Sequence, residues 1–74
     1  ISFIASKPGR VKLKIYNLKG QLVQTLYDDS LQEGYHSFPW NGRDEHGLAV
    51  SSGIHFARIE MNGEIQVHKM MLVK

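Results

Sequence analysis

The chain has 74 residues, of which 42% are hydrophobic, and it contains no cysteine. A chain of this length can bury one modest hydrophobic core, and without cysteine neither disulfides nor thiolate metal sites can stabilise the fold. Nine Lys and Arg against seven Asp and Glu give a formal net charge of +2, dispersed along the chain, which argues against nucleic-acid binding. No apolar stretch approaches the roughly 20 residues of a membrane-spanning helix, so we do not expect an integral membrane protein.

The sequence predicts a single domain over residues 1–74. It begins at Ile1 rather than at methionine, which indicates a piece of a longer protein.

The first half of the chain predicts three strands. Residues 11–15 strictly alternate apolar and charged side chains, which is the pattern of a strand with one buried face. Turn signals at residues 7–10 and 17–20 separate it from strands at residues 1–6 and 21–27, and we expect the three to form a meander. Short polar side chains at residues 28–30 compete for backbone hydrogen bonds and are expected to end the third strand.

The second half predicts four further extended segments. A strand at residues 35–40 contains Pro39, which cannot donate a ladder hydrogen bond and therefore favours a sheet edge or a strand end. A polar loop follows at residues 41–47, then a short extended piece at residues 48–50. Strands at residues 54–61 and 64–73 flank Asn62-Gly63, a strong signal for a two-residue hairpin.

No window has a helical period, and turn signals recur at short spacing. The pattern predicts an all-β fold, an immunoglobulin-like antiparallel β-sandwich of about six to seven short strands. Seven glycines are expected to shape its turns: Gly9, Gly20, Gly34, Gly42, Gly47, Gly53 and Gly63.

Four histidines are candidates for a metal site: His36, His46, His55 and His68. None lies two residues from another, and no cysteine or tight carboxylate cluster joins them, so we interpret them as unlinked and expect no metal. The loop at residues 41–47 has the acid-and-glycine look of a calcium loop. Arg43 at its middle repels calcium, so we expect Asn41 and Asp44 to bond nearby amides instead.

No catalytic residue and no cofactor are expected. Ser37 and Ser51 lie in no nucleophile motif, and the glycines occur singly rather than in a phosphate-binding loop. The chain contains several aromatic residues that could either line a sugar-binding face or fill the core: Tyr16, Tyr27, Tyr35, Phe38, Trp40 and Phe56. A small sandwich needs most of them inside, and we expect Trp40 to be a core aromatic residue that closes the core.

The order of the turns and aromatic residues resembles a known family. The matching segments are VKLKIYNLKG at residues 11–20, QLVQTL at 21–26, Gly34-Tyr35-His36, WNGRD at 40–44, Gly47, Val50, Ser52-Gly53-Ile54 and KMMLVK at 69–74. Together they resemble the type A C-terminal sorting domain of the type IX (Por) secretion system, which is related to the immunoglobulin-like domain of the flagellar hook-capping protein. His55 and Ala57 stand where that family often has aromatic residues.

The resemblance implies a secretion signal at the C-terminus of an exported protein in Gram-negative bacteria. Its partners would be an N-terminal passenger domain and the translocon and sortase of the outer membrane, and its location would be secreted or on the cell surface, by way of the periplasm. The family's terminal strand maps onto the residues expected to be recognised by the translocon: Lys69, Met70, Met71, Leu72, Val73 and Lys74. A strand at a sheet edge suits this role because it offers unpaired backbone groups to another sheet.

Two other functions stay open. The chain could be an immunoglobulin-like accessory or spacer domain of a secreted hydrolase, or it could be a carbohydrate-binding module that uses its aromatic residues.

Overall fold

Six antiparallel β-strands make up the fold in the computed structural model, which describes all 74 residues. They are β1 (Ser2–Ala5), β2 (Gly9–Asn17), β3 (Leu22–Leu31), β4 (Gly34–Ser37), β5 (Gly53–Met61) and β6 (Glu64–Leu72). One sheet pairs β1 with β4, and the other has the order β3-β2-β5-β6. The predicted all-β sandwich is confirmed. The structure has no helix with the length and apolarity that a membrane span requires.

The core is built on the alternating residues of β2. Val11, Leu13 and Ile15 are fully buried, whereas Lys12 and Lys14 point to the opposite face of the sheet. On β5, Ile59 lies opposite Leu13 and Ala57 lies opposite Ile15. Burial of an aliphatic side chain of this size stabilises the fold by about 1.5–3 kcal/mol, so the centre of the sandwich depends on this pair of strands.

The first strand belongs to the second sheet, and the predicted three-strand meander is wrong. Phe3 pairs with His36 and Ala5 with Gly34, while β2 pairs only with β3 and β5. Phe3 and Ala5 are buried. Their apolar side chains cover the side of the core that faces away from the larger sheet. The free energy of burying them outweighs the local tendency of neighbouring strands to pair.

The third strand runs to Leu31, so residues 28–30 do not end it as predicted. Asp28, Asp29 and Ser30 pair in register with β2, and that ladder satisfies the backbone groups for which their side chains compete. Arg10 also donates a hydrogen bond of 2.9 Å from Nη2 to the Asp28 carboxylate. Two shifts in register interrupt the pairing of β3 with β2.

The fourth strand is shorter than predicted and ends before Pro39. Beyond Ser37 two more main-chain hydrogen bonds form, from Phe38 N to Ile1 O at 2.7 Å and from the Ile1 ammonium to Phe38 O at 2.9 Å. The Phe38 ring then packs against Tyr27 of the larger sheet, with ring centroids 4.9 Å apart. The missing donor of Pro39 therefore ends the strand where the chain turns into the core.

The last two strands form the predicted hairpin. Asn62 and Gly63 both have positive φ, at 52° and 78°, as a type I′ turn requires. The pairing runs without interruption from Met61–Glu64 to Gly53–Leu72, one residue short of the predicted end at Val73. The hairpin places β6 at the outside of the four-stranded sheet.

Candidate functional site

β6 is the last strand of the larger sheet, so it has a paired edge and a free edge. One side pairs with β5, and no strand lies on the other. Nine residues of extended chain present about 30 Å of backbone, along which every second residue turns its N–H and C=O away from β5. Unpaired groups of this kind form a template for another strand.

The register in which β6 pairs with β5 shows which side chains of β6 face the core. Gln66, His68 and Met70 lie opposite Ile59, Ala57 and His55 of β5, all three of which are buried. Residues opposite each other in a ladder share a face, so these three side chains point inward. Met70 packs against the core and anchors the strand.

The alternate residues of β6 face outward. Ile65, Val67 and Met71 are 54%, 59% and 65% exposed, and Lys69 lies exposed between them. We call these four residues the outward row. It combines three large apolar side chains with one cation, next to a free backbone edge.

The end of the chain folds back onto the turn that precedes β5. Lys74 N donates to Ser52 Oγ at 3.2 Å, and the Lys74 ammonium donates to the carbonyl of Val50. Leu72 is half-buried, whereas Val73 is 80% exposed. The six predicted recognition residues therefore divide into inward-facing Met70 and Leu72, outward-facing Lys69 and Met71, and an end that lies beyond the strand.

Trp40 lies half-buried against the core, near the same end of β5. Its indole Nε1 donates to the carbonyl of Arg43 at 2.9 Å, and its ring meets His55 edge-on with centroids 5.1 Å apart. Trp40 thus packs where a core residue was predicted, and its polar group is bonded to the following loop.

That loop, residues 41–47, is held by its own side chains. Asp44 Oδ1 accepts hydrogen bonds from the backbone N–H of Leu48 at 3.0 Å and of His46 at 2.9 Å, and Asn41 Oδ1 accepts from Arg43 N at 3.1 Å. The Leu48 hydrogen bond, with help from His46, lowers the pKa of Asp44, although partial burial opposes the shift. The predicted turn is confirmed, with both side chains bonded to amides.

The four histidines lie apart. His36 Nε2 is 2.7 Å from the carbonyl of Gln32, and buried His55 has Nδ1 3.3 Å from the carbonyl of Gly53. His68 Nε2 is 3.3 Å from Gln66 Oε1, and His46 is exposed in the loop. Nowhere do three His, Asp or Glu side chains gather closely enough to share a metal ion.

The aromatic residues do not share one surface. Tyr27, Phe38 and Trp40 pack against the core, which is half of the set rather than the predicted majority. Tyr16 and Phe56 lie opposite each other on the outer face of the larger sheet. Tyr35 is 68% exposed on the smaller sheet. A flat sugar-binding platform would need several of these rings side by side, and the fold separates them.

Six of the seven predicted turn glycines have positive φ: Gly20, Gly34, Gly42, Gly47, Gly53 and Gly63. The prediction is wrong for Gly9, which is the first residue of β2 and lies opposite Leu31. Its requirement is spatial, because a β-carbon there would overlap Asn62 Oδ1 and come within 3.0 Å of Asn62 Cγ. Gly9 therefore leaves room at the start of β2 for the side chain of Asn62.

Sequence reasoning missed Ile65 and Val67, which share the outward row with Lys69 and Met71. A signal was present: the hairpin at Asn62-Gly63 fixes how β6 pairs with β5, and the buried residues of β5 then identify the inward face. Without knowledge of which face of β5 is buried, the alternation at Ile65 and Val67 could not show whether these side chains face the core or the solvent.

One family comparison matches most of the chain. The FlgD Ig-like domain matches residues 3–64, while no curated protein and no solved structure matches. The matched region begins at the second residue of β1, contains β2 to β5 and stops at Glu64, the first residue of β6. The outward row and the end of the chain lie outside it. Since the match spans well over half of the residues, the chain belongs to the FlgD Ig-like domain family.

Proposed function

We propose that the chain is a non-catalytic sorting module, which directs a passenger protein attached to its N-terminal side across the outer membrane through the type IX translocon. The observation that carries the proposal is the free edge of β6, the strand that contains most of the KMMLVK segment. The FlgD Ig-like family supplies the scaffold, and the terminal strand supplies the signal.

Two features of β6 support recognition of the folded module. Met70 and Leu72 keep the strand attached to the core side of the sheet, while Lys69 and Met71 lie on the outer surface. No strand of the chain pairs with the free edge, and six of the nine residues of β6 are exposed. A partner can therefore bind the strand by adding to the sheet, since backbone hydrogen bonds give affinity and alternate side chains give specificity.

After export, a sortase would remove the module and leave the passenger secreted or attached to the cell surface. The two alternatives, a spacer domain and a carbohydrate-binding module, have weaker support. A spacer needs no free edge, and the aromatic residues that would bind a sugar are divided between the core and two different surfaces.

Fusion of the chain to the C-terminus of a fluorescent reporter tests the proposal in a Gram-negative strain that has the type IX system. Three variants should be compared: deletion of residues 69–74, the double substitution Lys69→Ser and Met71→Ser, and the control Ile4→Ser. Ile4 is 74% exposed on the other sheet. We expect the reporter in the medium or on the surface with the unaltered chain and the control, and retained in the cell with the other two.

The deletion also removes Met70 and Leu72, so it weakens the fold as well as the signal. The double substitution separates these effects because both residues face outward, and thermal unfolding of the purified module checks that it stays folded. Export that is unchanged by both alterations would contradict the proposal and favour the spacer.

A further inference from the structure

The two edges of the larger sheet differ in how they are protected. On β3, two register shifts distort the strand and Asp28 and Asp29 are exposed. Bulges and charged side chains are the usual means by which proteins prevent unwanted pairing at an edge. β6 has nine residues, no proline and no register shift. One edge is therefore blocked and the other is open.

The open edge carries its own side-chain pattern. In the outward row, Ile65, Val67 and Met71 expose more than half of their surface, and Lys69 interrupts the apolar series. The ion pairs of the chain are Arg10–Asp28 and Arg58–Glu60, and Lys69 belongs to neither. An added strand would bury these apolar side chains and could supply the carboxylate that Lys69 lacks.

A second copy of the chain fits this pattern poorly. When two β6 strands pair as one continuous sheet, outward residues lie opposite outward residues. The outward row contains no Asp or Glu, so Lys69 would lie opposite an apolar residue or another lysine in every register. A different strand with an acidic side chain at that position fits better.

Resting on the function proposed above, we propose that the free edge of β6 binds an extended strand of a partner protein. This strand runs antiparallel to β6, the more stable arrangement for a pair. Its acidic side chain lies opposite Lys69, and its apolar side chains lie opposite Met71, Val67 and Ile65. From its N-terminus, its alternate residues therefore read apolar, acidic, apolar, apolar.

Synthetic peptides test this in vitro with the isotope-labelled full chain. The probe is a capped peptide with the alternating pattern above and glutamate at the acidic position. Its controls are the same peptide with lysine in place of glutamate, and a copy that is N-methylated on alternate residues and so cannot pair along one edge. We expect the glutamate peptide to shift the amide resonances of β6 and to slow their hydrogen exchange. The lysine peptide should bind more weakly, and the N-methylated copy should not bind.

A charge exchange on the protein makes the test specific. Lys69→Glu should lower the affinity for the glutamate peptide about two- to tenfold, because an attraction between exposed charges becomes a repulsion. The same substitution should raise the affinity for the lysine peptide. Lys19→Glu, in the exposed turn between β2 and β3, changes the net charge equally and should leave both affinities unchanged.

Three results of the peptide experiment would overturn the inference: no binding by any peptide, protection at β3 instead of β6, or equal binding of the glutamate and lysine peptides. Sedimentation showing that the chain dimerises through β6 would also overturn it. The outcome is separable from the function proposed above. If export depends on residues 69–74 but no peptide binds, only this inference is contradicted. If the peptide binds but export is unchanged by the alterations, only the sorting role is contradicted.

Discussion

Leu72, the last residue of β6, packs over Gly42 in the loop that follows Trp40. A β-carbon added to Gly42 would lie 3.5 Å from both δ-carbons of Leu72, which is ordinary van der Waals contact. The loop, held together by Asp44, is therefore the surface on which the end of the terminal strand lies.

Gly42→Ala should destabilise the fold by about 1–2 kcal/mol, the cost of a left-handed conformation for a residue with a side chain. Gly42 has φ of 74°, and Gly47 has φ of 80° with open space around it. Gly47→Ala is thus a matched control for the cost of the backbone conformation. Urea unfolding should show a similar decrease in the free energy of unfolding for both variants. A much larger loss at Gly42 would mean that Leu72 is too rigid to accommodate the methyl group.

The neighbouring methionines of β6 should behave differently because they face opposite ways. Met70→Ala removes a half-buried contact with the core and should cost about 1–3 kcal/mol, which overlaps only the lower part of the range for fully buried methionines. Met71→Ala removes a side chain that is 65% exposed and should change stability by less than about 0.5 kcal/mol. Chemical unfolding measures both. Equal costs would show that the assignment of the two faces is wrong.

Leu13→Ala should cost about 2–5 kcal/mol, since Leu13 is fully buried at the centre of the sheet. Such a loss is a large part of the total stability of a small domain, so we expect a flattened or absent thermal transition by circular dichroism. Leu18→Ala, at a position that is 69% exposed, is the control and should unfold like the unaltered chain. A cooperative transition at an unchanged temperature for Leu13→Ala would contradict the proposed core.

The stability of the fold should depend on the charge of Asp44 in acid. Hydrogen bonds from Leu48 and His46 lower its pKa below the ordinary value of 3.8. A carboxyl with a lowered pKa in the folded state contributes stability above its unfolded pKa and loses it as the pH falls through the folded pKa. Asp44→Asn should therefore lower the melting temperature at neutral pH, and the difference should narrow below about pH 3.8.

Melting curves from neutral pH down to strong acid measure this effect. Glu45→Gln removes the same charge from the adjacent exposed residue and serves as the control. A difference between Asp44→Asn and the unaltered chain that is constant across the whole range would show that the charge of Asp44 plays no part.

The elements that could be predicted from sequence are those with local signals. Alternation at residues 11–15 identified β2, and Asn62-Gly63 identified the final hairpin, because side-chain period and turn chemistry act over a few residues. The pairing of β1 with β4 joins Phe3 to His36 across most of the first half of the chain. No local pattern specifies that pairing, since it is set by how the second sheet covers the core.

The candidate site shows the same division. The resemblance predicts that Lys69 to Lys74 are recognition residues, but it could not separate Met70 from Met71, because the direction in which a strand's side chains point depends on the neighbouring strand. The continuation of β3 through Asp28 had a similar cause. A ladder partner overrides the turn preference of a polar residue, and only the fold shows that the partner is there.

The two-residue turn at Asn62-Gly63 also determines how β6 can leave the sheet. Glu64 is tied directly to Met61, so that end of the strand cannot move away, whereas the other end is held by Leu72 and the contacts of Lys74 with the 50–52 turn. Tension applied through Lys74 would open the ladder one residue pair at a time, starting at Gly53–Leu72, and we expect low unfolding forces when single molecules are pulled from this end. The terminal strand can therefore detach only from its C-terminal end, which is the end where the proposed signal lies.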